Sequence, residues 1–195
     1  MINNDVIIGD TTAESVSINM TELSARIGKG VDVNSEIIKK YINVFNKHVT
    51  YRYAYARIPY KLTDNISYFE GVEVESDSLS HVLSESKEVI LLAVTTGISI
   101  DKMMSKLSIQ APADTYYFDA IASAAIESYI EYVSDEICRG MNVTKRFSPG
   151  YADFPLAFQK YLLDRLQAKE KIGIMLSDNY LMIPMKSITA VIGIK

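Results

Sequence analysis

The chain has 195 residues, of which 48% are hydrophobic and 23% are charged, a profile typical of one soluble globular unit or two small packed ones. Acidic residues outnumber basic residues by 24 to 20, which gives a formal net charge of −4 and an isoelectric point near 5.3. This balance disfavours binding to a phosphate backbone, so we expect no nucleic-acid partner.

Cysteine usage and the terminal segment indicate a cytoplasmic protein. Cys138 is the only cysteine, so the chain can form no internal disulfide and no thiolate metal cage, which fits a reducing compartment. The segment Met1–Asp10 lacks the charged and then apolar parts of a signal peptide. The longest apolar run, Val89–Val94, is far shorter than the roughly 20 residues of a membrane-spanning helix. We therefore expect a cytoplasmic protein without a membrane segment.

The motifs of common enzyme classes are missing. Neither histidine, His48 or His81, has Glu, Asp or Cys at ligand spacing, so no zinc site is predicted. His48 suits the end of a helix, where a cation meets exposed carbonyls. Gly28–Lys29–Gly30 begins like a dinucleotide-binding fingerprint, but Val33 stands at the third glycine position and no strand precedes it, so we expect a turn. The sequence therefore does not support ordinary nucleophilic or metal catalysis.

The first half of the chain mixes helical and strand-like patterns. Residues 1 to about 30 are polar and weakly patterned, so no element is predicted there. Hydrophobic spacing and turn signals then predict a helix after Asn34 that ends near His48, strands over Thr50–Tyr60 and Ile66–Val74 with a turn at Thr63–Asn65, and a short helix over Ser78–Leu83.

The second half contains the strongest periodic signals. These predict a buried strand at Val89–Val94, a turn at Thr95–Gly97, helices over Ile98–Leu107 and Ala113–Arg139, a stop at Gly140, a loop at Arg146–Pro155, a helix from Pro155 to about Leu166, and closing strands at 172–176, 181–184 and 188–194. The predicted class is mixed α+β, an antiparallel or mixed sheet packed with helices, one of them long and central.

One polar stripe interrupts the apolar surface of the long helix. Ser123, Glu127 and Glu131 are four residues apart and share one face. Judged on the residues alone, a solvated face is favoured by about two to one over a carboxylate that faces a cleft.

The loop Arg146–Pro155 also permits two interpretations. In a structural one, Pro149–Gly150 sets a turn while Phe147 and Tyr151 fill the core. In a functional one, Arg146 binds a carboxylate through two hydrogen bonds and the exposed backbone pairs with the edge of a heterocycle. The residues alone favour the structural interpretation.

The segment Arg146-Phe-Ser-Pro-Gly-Tyr151 resembles the Arg-x-x-x-Gly-Tyr motif of the S-adenosylmethionine-binding reactivation domain of cobalamin-dependent methionine synthase. Val89–Gly97 resembles the apolar strand of that domain that ends in Val-Thr-Gly-Gly, and Ala122–Glu136 resembles its long helix. Residues 172–176 and 183–187 resemble its next strands and its Pro-x-x-Ser segment. We expect residues 85–195 to form a core like that domain, and residues 1–84 to form a helix and strand region packed on it, in one compact unit.

The resemblance implies a binding site for S-adenosylmethionine. It implies that Arg146 holds the carboxylate of the methionyl moiety and that Ser148 offers backbone groups to the adenine. Gly150 and Tyr151 would complete the loop, and Glu127 would face the ligand from the long helix. A carboxylate near the sulfonium is physically reasonable, because the cofactor carries a fixed positive charge there.

The resemblance also implies a reaction, the reductive methylation of cobalamin in its inactive cob(II) state by S-adenosylmethionine and an electron from flavodoxin or a similar donor. The domain would contribute positioning rather than an acid, a base or a nucleophile. The chain lacks the Asp-x-His-x-x-Gly signature of cobalamin modules, so cobalamin would be supplied by a partner protein. We therefore expect a stand-alone reactivation domain that acts in trans on the cobalamin-binding modules of a methionine synthase.

Two other functions stay open. The chain could be a non-catalytic module that binds S-adenosylmethionine or docks on a partner, or it could reactivate another corrinoid methyltransferase. Tyr51, Tyr53 and Tyr55 alternate along a strand, a pattern typical of an ordinary half-buried sheet surface and less often of a docking surface.

Overall fold

The computed structural model describes residues 5–28 and 30–195, and within them it forms a curled antiparallel sheet with helices on both faces. The strands are β1 (Ile7–Thr11), β2 (Tyr51–Thr63), β3 (Ile66–Phe69), β4 (Val72–Glu75), β5 (Glu88–Thr95), β6 (Met175–Leu176), β7 (Met182–Ile183) and β8 (Ser187–Ile194). The helices are α1 (Met20–Ile27), α2 (Glu36–His48), α3 (Asp77–Val82), α4 (Ile98–Gln110), α5 (Pro112–Ile137), α6 (Phe158–Arg165) and α7 (Ala168–Ile172). The predicted mixed α+β class is confirmed.

The sheet is organised around the long strand β2. The strand order is β4-β3-β2-β5-β8, and β1 also pairs with β2. One edge of β2 pairs first with β1 over residues 51–55 and then with β3 over residues 60–63, while its other edge pairs with β5. Because β2 pairs with β5, residues from both sides of position 84 build one sheet.

The predicted buried strand is the centre of the core. Ile90, Leu92 and Val94 of β5 face α2 and α5, and the alternating residues 89, 91 and 93 face α6 and Phe154 on the opposite side. Every residue of the run is at most 1% exposed. A strand that is covered on both faces has no polar side to show, which explains the continuous apolar run in the sequence.

The long central helix is confirmed as α5. It begins with Pro112 at its first position, where the missing N–H costs no hydrogen bond. It ends at Ile137, and Gly140 follows with a backbone φ of +77°. Its buried face packs against the sheet and against α1, α2 and α4.

In the first half of the chain, the structure adds elements that were not predicted and changes one that was. The weakly patterned start contains β1 and α1, and Asn19 caps α1 by accepting hydrogen bonds from the N–H groups of Thr21 and Glu22 at 3.0 and 3.1 Å. The single strand expected over Ile66–Val74 is a hairpin, because Glu70–Gly71 has left-handed backbone angles that reverse the chain between β3 and β4.

Two boundaries near the end of the chain also differ from the prediction. The strand expected at 172–176 shrinks to β6, because α7 extends to Ile172 and Gly173 turns the chain with a positive φ. The helix expected from Pro155 begins at Phe158, after one preceding turn. The turn expected at residues 28–30 includes Lys29, which, like residues 1–4 of the terminal segment, lies outside the described residues.

The tyrosine stripe of β2 faces the helical layer. Tyr51 is 2% exposed and its ring centroid lies 4.3 Å from that of Tyr129 on α5. Tyr53 and Tyr55 are half-buried against the same core. The stripe is therefore a half-buried sheet surface, the interpretation that its period favoured.

Candidate functional site

A cleft with a volume of about 640 Å³ lies along the outer edge of β8, a size typical of small-molecule sites. One side, which we call the α5 wall, is formed by residues between 127 and 138. The other side, which we call the loop wall, is formed by residues 143–151. The first residues of β8 form the base. Four of the five predicted site residues line the cleft, namely Glu127, Arg146, Ser148 and Tyr151. The fifth, Gly150, belongs to the turn of the loop wall. The structure thus brings these residues together, and their role in binding stays a prediction.

The loop wall begins as a strip of backbone paired with β8. Phe147 donates its N–H to the carbonyl of Val191 at 2.9 Å and accepts the N–H of Val191 at 2.8 Å. Because backbone groups alternate in direction along an antiparallel ladder, Arg146 and Ser148 direct theirs away from β8. The N–H of Ser148 has no hydrogen bond within the described residues. This outward edge can therefore pair with a ligand.

The predicted Pro-Gly turn completes the loop wall. The N–H of Tyr151 donates to the carbonyl of Ser148 at 3.1 Å, with Pro149 second and Gly150 third, at a φ of +90°. These features define a type II turn, which requires a positive φ at its third position. A Cβ on Gly150 would also lie 3.2 Å from Leu156.

The two aromatic residues of the loop have different environments. Phe147 packs on the apolar residues that lie between the sheet and α6, and it stacks on the buried Phe154 with ring centroids 5.9 Å apart. Tyr151 is 62% exposed at the cleft. The expectation that Tyr151 fills the core is therefore wrong, because the turn before it leads the chain away from the sheet.

Two of the three residues of the polar stripe on α5 face the cleft. Glu127 is half-buried and lines the cleft with the more exposed Glu131. Of the two interpretations of Glu127, the structure therefore agrees with a carboxylate that faces a cleft, because the loop wall lies across from this side of the helix. Glu127 and Arg146 have no hydrogen bond or ion pair within the described residues. Opposite charges without protein partners therefore lie on the two walls of one cleft.

Side chains of α5 and β5 fix the base of the cleft. The Lys186 ammonium donates to Ser123 Oγ at 2.8 Å and lies 2.7 Å from the Asp119 carboxylate. Ser187 donates to the carbonyl of Pro184 at 2.8 Å and contacts the hydroxyl of Thr95 at 2.9 Å. The segment before β8 is therefore fastened to a helix and to a central strand.

Three groups near the cleft were missed by sequence reasoning. Gln159 and Thr189 are 4% and 3% exposed and both line it, and no periodic signal marks them because they lie on elements of ordinary pattern. Asp153 lies beyond the turn and accepts hydrogen bonds from Ser76 Oγ at 2.8 Å and from the N–H of Asp77 at 2.6 Å. Its partners are about 75 residues away in the sequence, so only the fold reveals this contact.

The histidines and the cysteine, the other reactive side chains, lie in different places relative to the cleft. His48 and His81 are exposed, and neither lines the cleft. Cys138 lines it half-buried, and burial, with a smaller contribution from Asp135, raises the pKa of its thiol. Among residues 5–28 and 30–195, no three or more histidine, cysteine or acidic residues are arranged to hold a metal ion. In the same part of the chain, no helix combines the length and apolar character needed to cross a membrane.

Comparisons with known proteins identify the fold. No protein-family model matches the chain, and no curated protein was found to match it. Among solved structures, the MetH reactivation domain bound to AdoHcy matches with a TM-score of 0.71 and 13% sequence identity. The match covers 98% of this chain and 79% of that one. The chain therefore has the fold of the MetH reactivation domain, in agreement with the resemblance of its Arg146–Tyr151 motif.

Proposed function

We propose that this chain binds S-adenosylmethionine in the cleft and reactivates a cobalamin-dependent methionine synthase whose cobalamin is held by a separate protein. The supporting observation is the convergence of Glu127 with the Arg146–Tyr151 loop on one cleft. The fold is that of a domain bound to AdoHcy. In this proposal residues 85–195 supply the cleft, and residues 1–84 complete the sheet beneath it.

The charged groups of the cleft fit the two charged parts of the ligand. The guanidinium of Arg146 has no protein partner within the described residues, so its planar donors are free to hold a carboxylate through two parallel hydrogen bonds. Glu127 and Glu131 line the opposite wall. Their carboxylates favour a positive charge between the walls, which suits a sulfonium.

The loop wall fits the heterocycle. Arg146 and Ser148 present backbone groups on the edge that faces away from β8, and a purine edge carries the matching donors and acceptors. The exposed ring of Tyr151 offers an apolar face next to this edge. We infer that the adenine lies along the backbone edge of the loop wall, the sulfonium lies toward Glu127 on α5, and the carboxylate lies at the Arg146 guanidinium.

The chemistry of the proposed reaction comes from its reagents. When bound, S-adenosylmethionine supplies a methyl group activated by a sulfonium. The residues of this chain would hold that group in place, and positioning of this kind accelerates a transfer. Because burial raises the pKa of the Cys138 thiol, this side chain is held in its less nucleophilic form and does not compete for the methyl group.

We assign the cobalamin and the electron to partner proteins. The sequence lacks the Asp-x-His-x-x-Gly signature of cobalamin modules, and neither His48 nor His81 lies at the cleft. We therefore propose that the cobalamin-binding modules of the synthase dock at the cleft. A flavodoxin-like protein would deliver the electron in the cytoplasm.

Calorimetric titration with S-adenosylmethionine tests the site directly. We expect saturable binding by the native protein and at least a tenfold weaker affinity for Arg146→Ala, because about 1.4 kcal/mol or more is lost with a charge-assisted pair. Arg139→Ala is the matched control, since Arg139 is exposed, pairs with Glu136 and does not line the cleft. Absence of binding by the native protein, or equal affinities for the two variants, would overturn the proposal.

Alkylation of Cys138 locates the ligand. This only cysteine is half-buried in the cleft, so saturating S-adenosylmethionine should slow its reaction with a maleimide. An unchanged rate at saturation would mean that the ligand binds elsewhere.

Reconstitution separates the reactivation role from a purely binding role. The mixture contains a corrinoid methyltransferase partner loaded with cob(II)alamin, a reductant and S-adenosylmethionine. Methylcobalamin should form in this mixture only when this chain is present. Binding without such turnover, tested with several corrinoid partners, would instead favour a sensor or docking module.

A further inference from the structure

The loop wall is fastened to a distant part of the fold by one side chain. Within residues 146–155, Asp153 is the only residue whose side chain makes a hydrogen bond in the part of the chain that the structure describes. Its two carboxylate oxygens accept from Ser76 Oγ at 2.8 Å, from the N–H of Asp77 at 2.6 Å and from the N–H of Ser78 at 3.2 Å. All three donors belong to the start of α3.

Ser76 takes part in two hydrogen bonds at once. Its hydroxyl donates to Asp153 and accepts the N–H of Leu79 at 3.1 Å, so it caps α3 and holds the loop through the same atom. Leu79 is fully buried, which anchors this end of α3 in the core. Asp153 is thus attached to a fixed point of the fold, although its own side chain is exposed.

Backbone hydrogen bonds connect Asp153 rigidly to the turn at the cleft. The N–H of Gly150 donates to the carbonyl of Phe154 at 2.9 Å, and the N–H of Phe154 donates to the carbonyl of Tyr151 at 2.9 Å. These bonds close a second turn around Asp153, directly after the type II turn. A displacement of Asp153 is therefore transmitted to Gly150 and Tyr151.

We propose that Asp153 is a positioning residue for the S-adenosylmethionine site, fixing the loop wall against α3 so that Arg146, Ser148 and Tyr151 face the cleft. This inference rests on the proposed function for the identity of the ligand, and it rests on the contacts of Asp153 for the role. Asp153 does not line the cleft, so it acts through the turn and touches no ligand. Its hydrogen bonds, that from Ser76 first, lower the pKa of Asp153 to about 2, so the charged acceptor is present throughout the physiological range.

A double-mutant cycle in S-adenosylmethionine affinity tests this role. We expect Asp153→Ala to raise the dissociation constant about tenfold, since small displacements of positioned groups are costly. Ser76→Ala should raise it less, by about threefold, and the double variant should match Asp153→Ala alone, because both changes remove one connection. Asp153→Asn retains an acceptor oxygen and should restore part of the affinity. Asp178→Ala, an exposed aspartate of the turn between β6 and β7, is the control and should leave the constant within twofold.

Amide hydrogen exchange supplies a readout that does not depend on the ligand. The N–H groups of Gly150 and Phe154 should exchange faster in Asp153→Ala than in the native protein, while amides of α5 should not change. The inference would be overturned if the native protein and Asp153→Ala bound S-adenosylmethionine with equal affinity. It would also be overturned if the effects of Asp153→Ala and Ser76→Ala on affinity were additive in the double variant. If the native protein does not bind S-adenosylmethionine, the proposed function fails, and unchanged exchange at Gly150 would by itself overturn the positioning role.

Discussion

The α5 wall of the cleft rests on a packed apolar face in which Ala125, Ile130 and Val133 are at most 1% exposed. The loop wall has one aromatic side chain, Phe147, packed on the core. It is otherwise held by hydrogen bonds, two between Phe147 and Val191, two between Thr144 and Gly193, and those that Asp153 accepts from the start of α3. Apolar burial is spread over many contacts, whereas a single substitution at Asp153 removes every hydrogen bond that its side chain accepts. We therefore expect substitutions behind the α5 wall to change stability, and substitutions in the loop wall to change ligand binding.

The largest expected effect is on the stability of the α5 wall. Ile130→Ala leaves a cavity behind this wall and should lower the free energy of unfolding by about 2–5 kcal/mol, measured by urea denaturation. Ile109→Ala is the control, because Ile109 is 83% exposed and its truncation should cost less than about 0.5 kcal/mol. Where the Ile130 variant is still folded, its affinity for S-adenosylmethionine should stay within about twofold. A large loss of affinity without a loss of stability would break the contrast between the walls.

The next effect concerns charge at the α5 wall. Glu127→Gln keeps the shape of the side chain and removes its charge, so affinity for S-adenosylmethionine should fall about tenfold. Affinity for S-adenosylhomocysteine, which has a neutral thioether, should fall less than about threefold. Glu73→Gln on the exposed strand β4 is the control. Equal losses for both ligands would show that Glu127 acts by contact rather than by charge.

A smaller effect distinguishes backbone strain, which lowers stability, from displacement of the loop wall, which weakens ligand binding. Gly150→Ala and Gly140→Ala both place a side chain at a positive φ, and each should destabilise the fold by about 1 kcal/mol. Only Gly150→Ala should also weaken binding of S-adenosylmethionine, since Gly140 lies outside the cleft with no atom near its Cβ position. Thermal unfolding and titration of both variants measure the two effects. Weaker binding by the Gly140 variant would contradict this separation.

The smallest effect is the pH dependence of the Asp153 contact. The pKa of Asp153 is lowered from 3.8 to about 2, so its contribution to stability is complete above about pH 4 and is lost as the pH falls toward 2. The groups around Asp153 are Ser76, Ser78 and one other titratable side chain, that of Asp77, which accepts a hydrogen bond from Asn65. The stability difference between the native protein and Asp153→Asn should therefore be constant near neutral pH and shrink below about pH 4. A difference that persists at low pH would mean that charge does not hold the loop.

The same contrast explains which parts of the molecule the sequence could predict. The helix α5 was predictable because a long buried helix has apolar residues at every third or fourth position. The strand β5 was predictable because a strand that is covered on both faces is apolar throughout. The Pro149–Gly150 turn was also predictable, since its φ requirement is local. The sequence signal for α1 is present but short. It consists of the N-cap residue Asn19 followed by the apolar residues Leu23 and Ile27 on one face of the helix.

The sequence could not show how distant elements meet. That Glu127 faces a cleft depends on the loop wall that lies across from it, and the partners of Asp153 lie about 75 residues earlier in the sequence. Neither relation has a period or a spacing. The motif from Arg146 to Tyr151 was recognisable by resemblance, whereas the burial of Thr189 and Gln159 beside it became visible only in the fold.

The partly covered edge of β8 has a consequence for solubility. An exposed strand edge can recruit a strand from another molecule and start aggregation. Residues 143–147 pair with the second half of β8, from Ile194 back to Val191. The first half of β8 has no strand beside its outer edge among the described residues, but its residues Ser187 and Thr189 are only 7% and 3% exposed. These low exposures show that the α5 wall and the loop wall leave little room for a second strand along this edge. On the opposite side of the sheet, the edge strand β4 instead carries the exposed charges of Glu73 and Glu75, so the two ends of the sheet resist aggregation by different means.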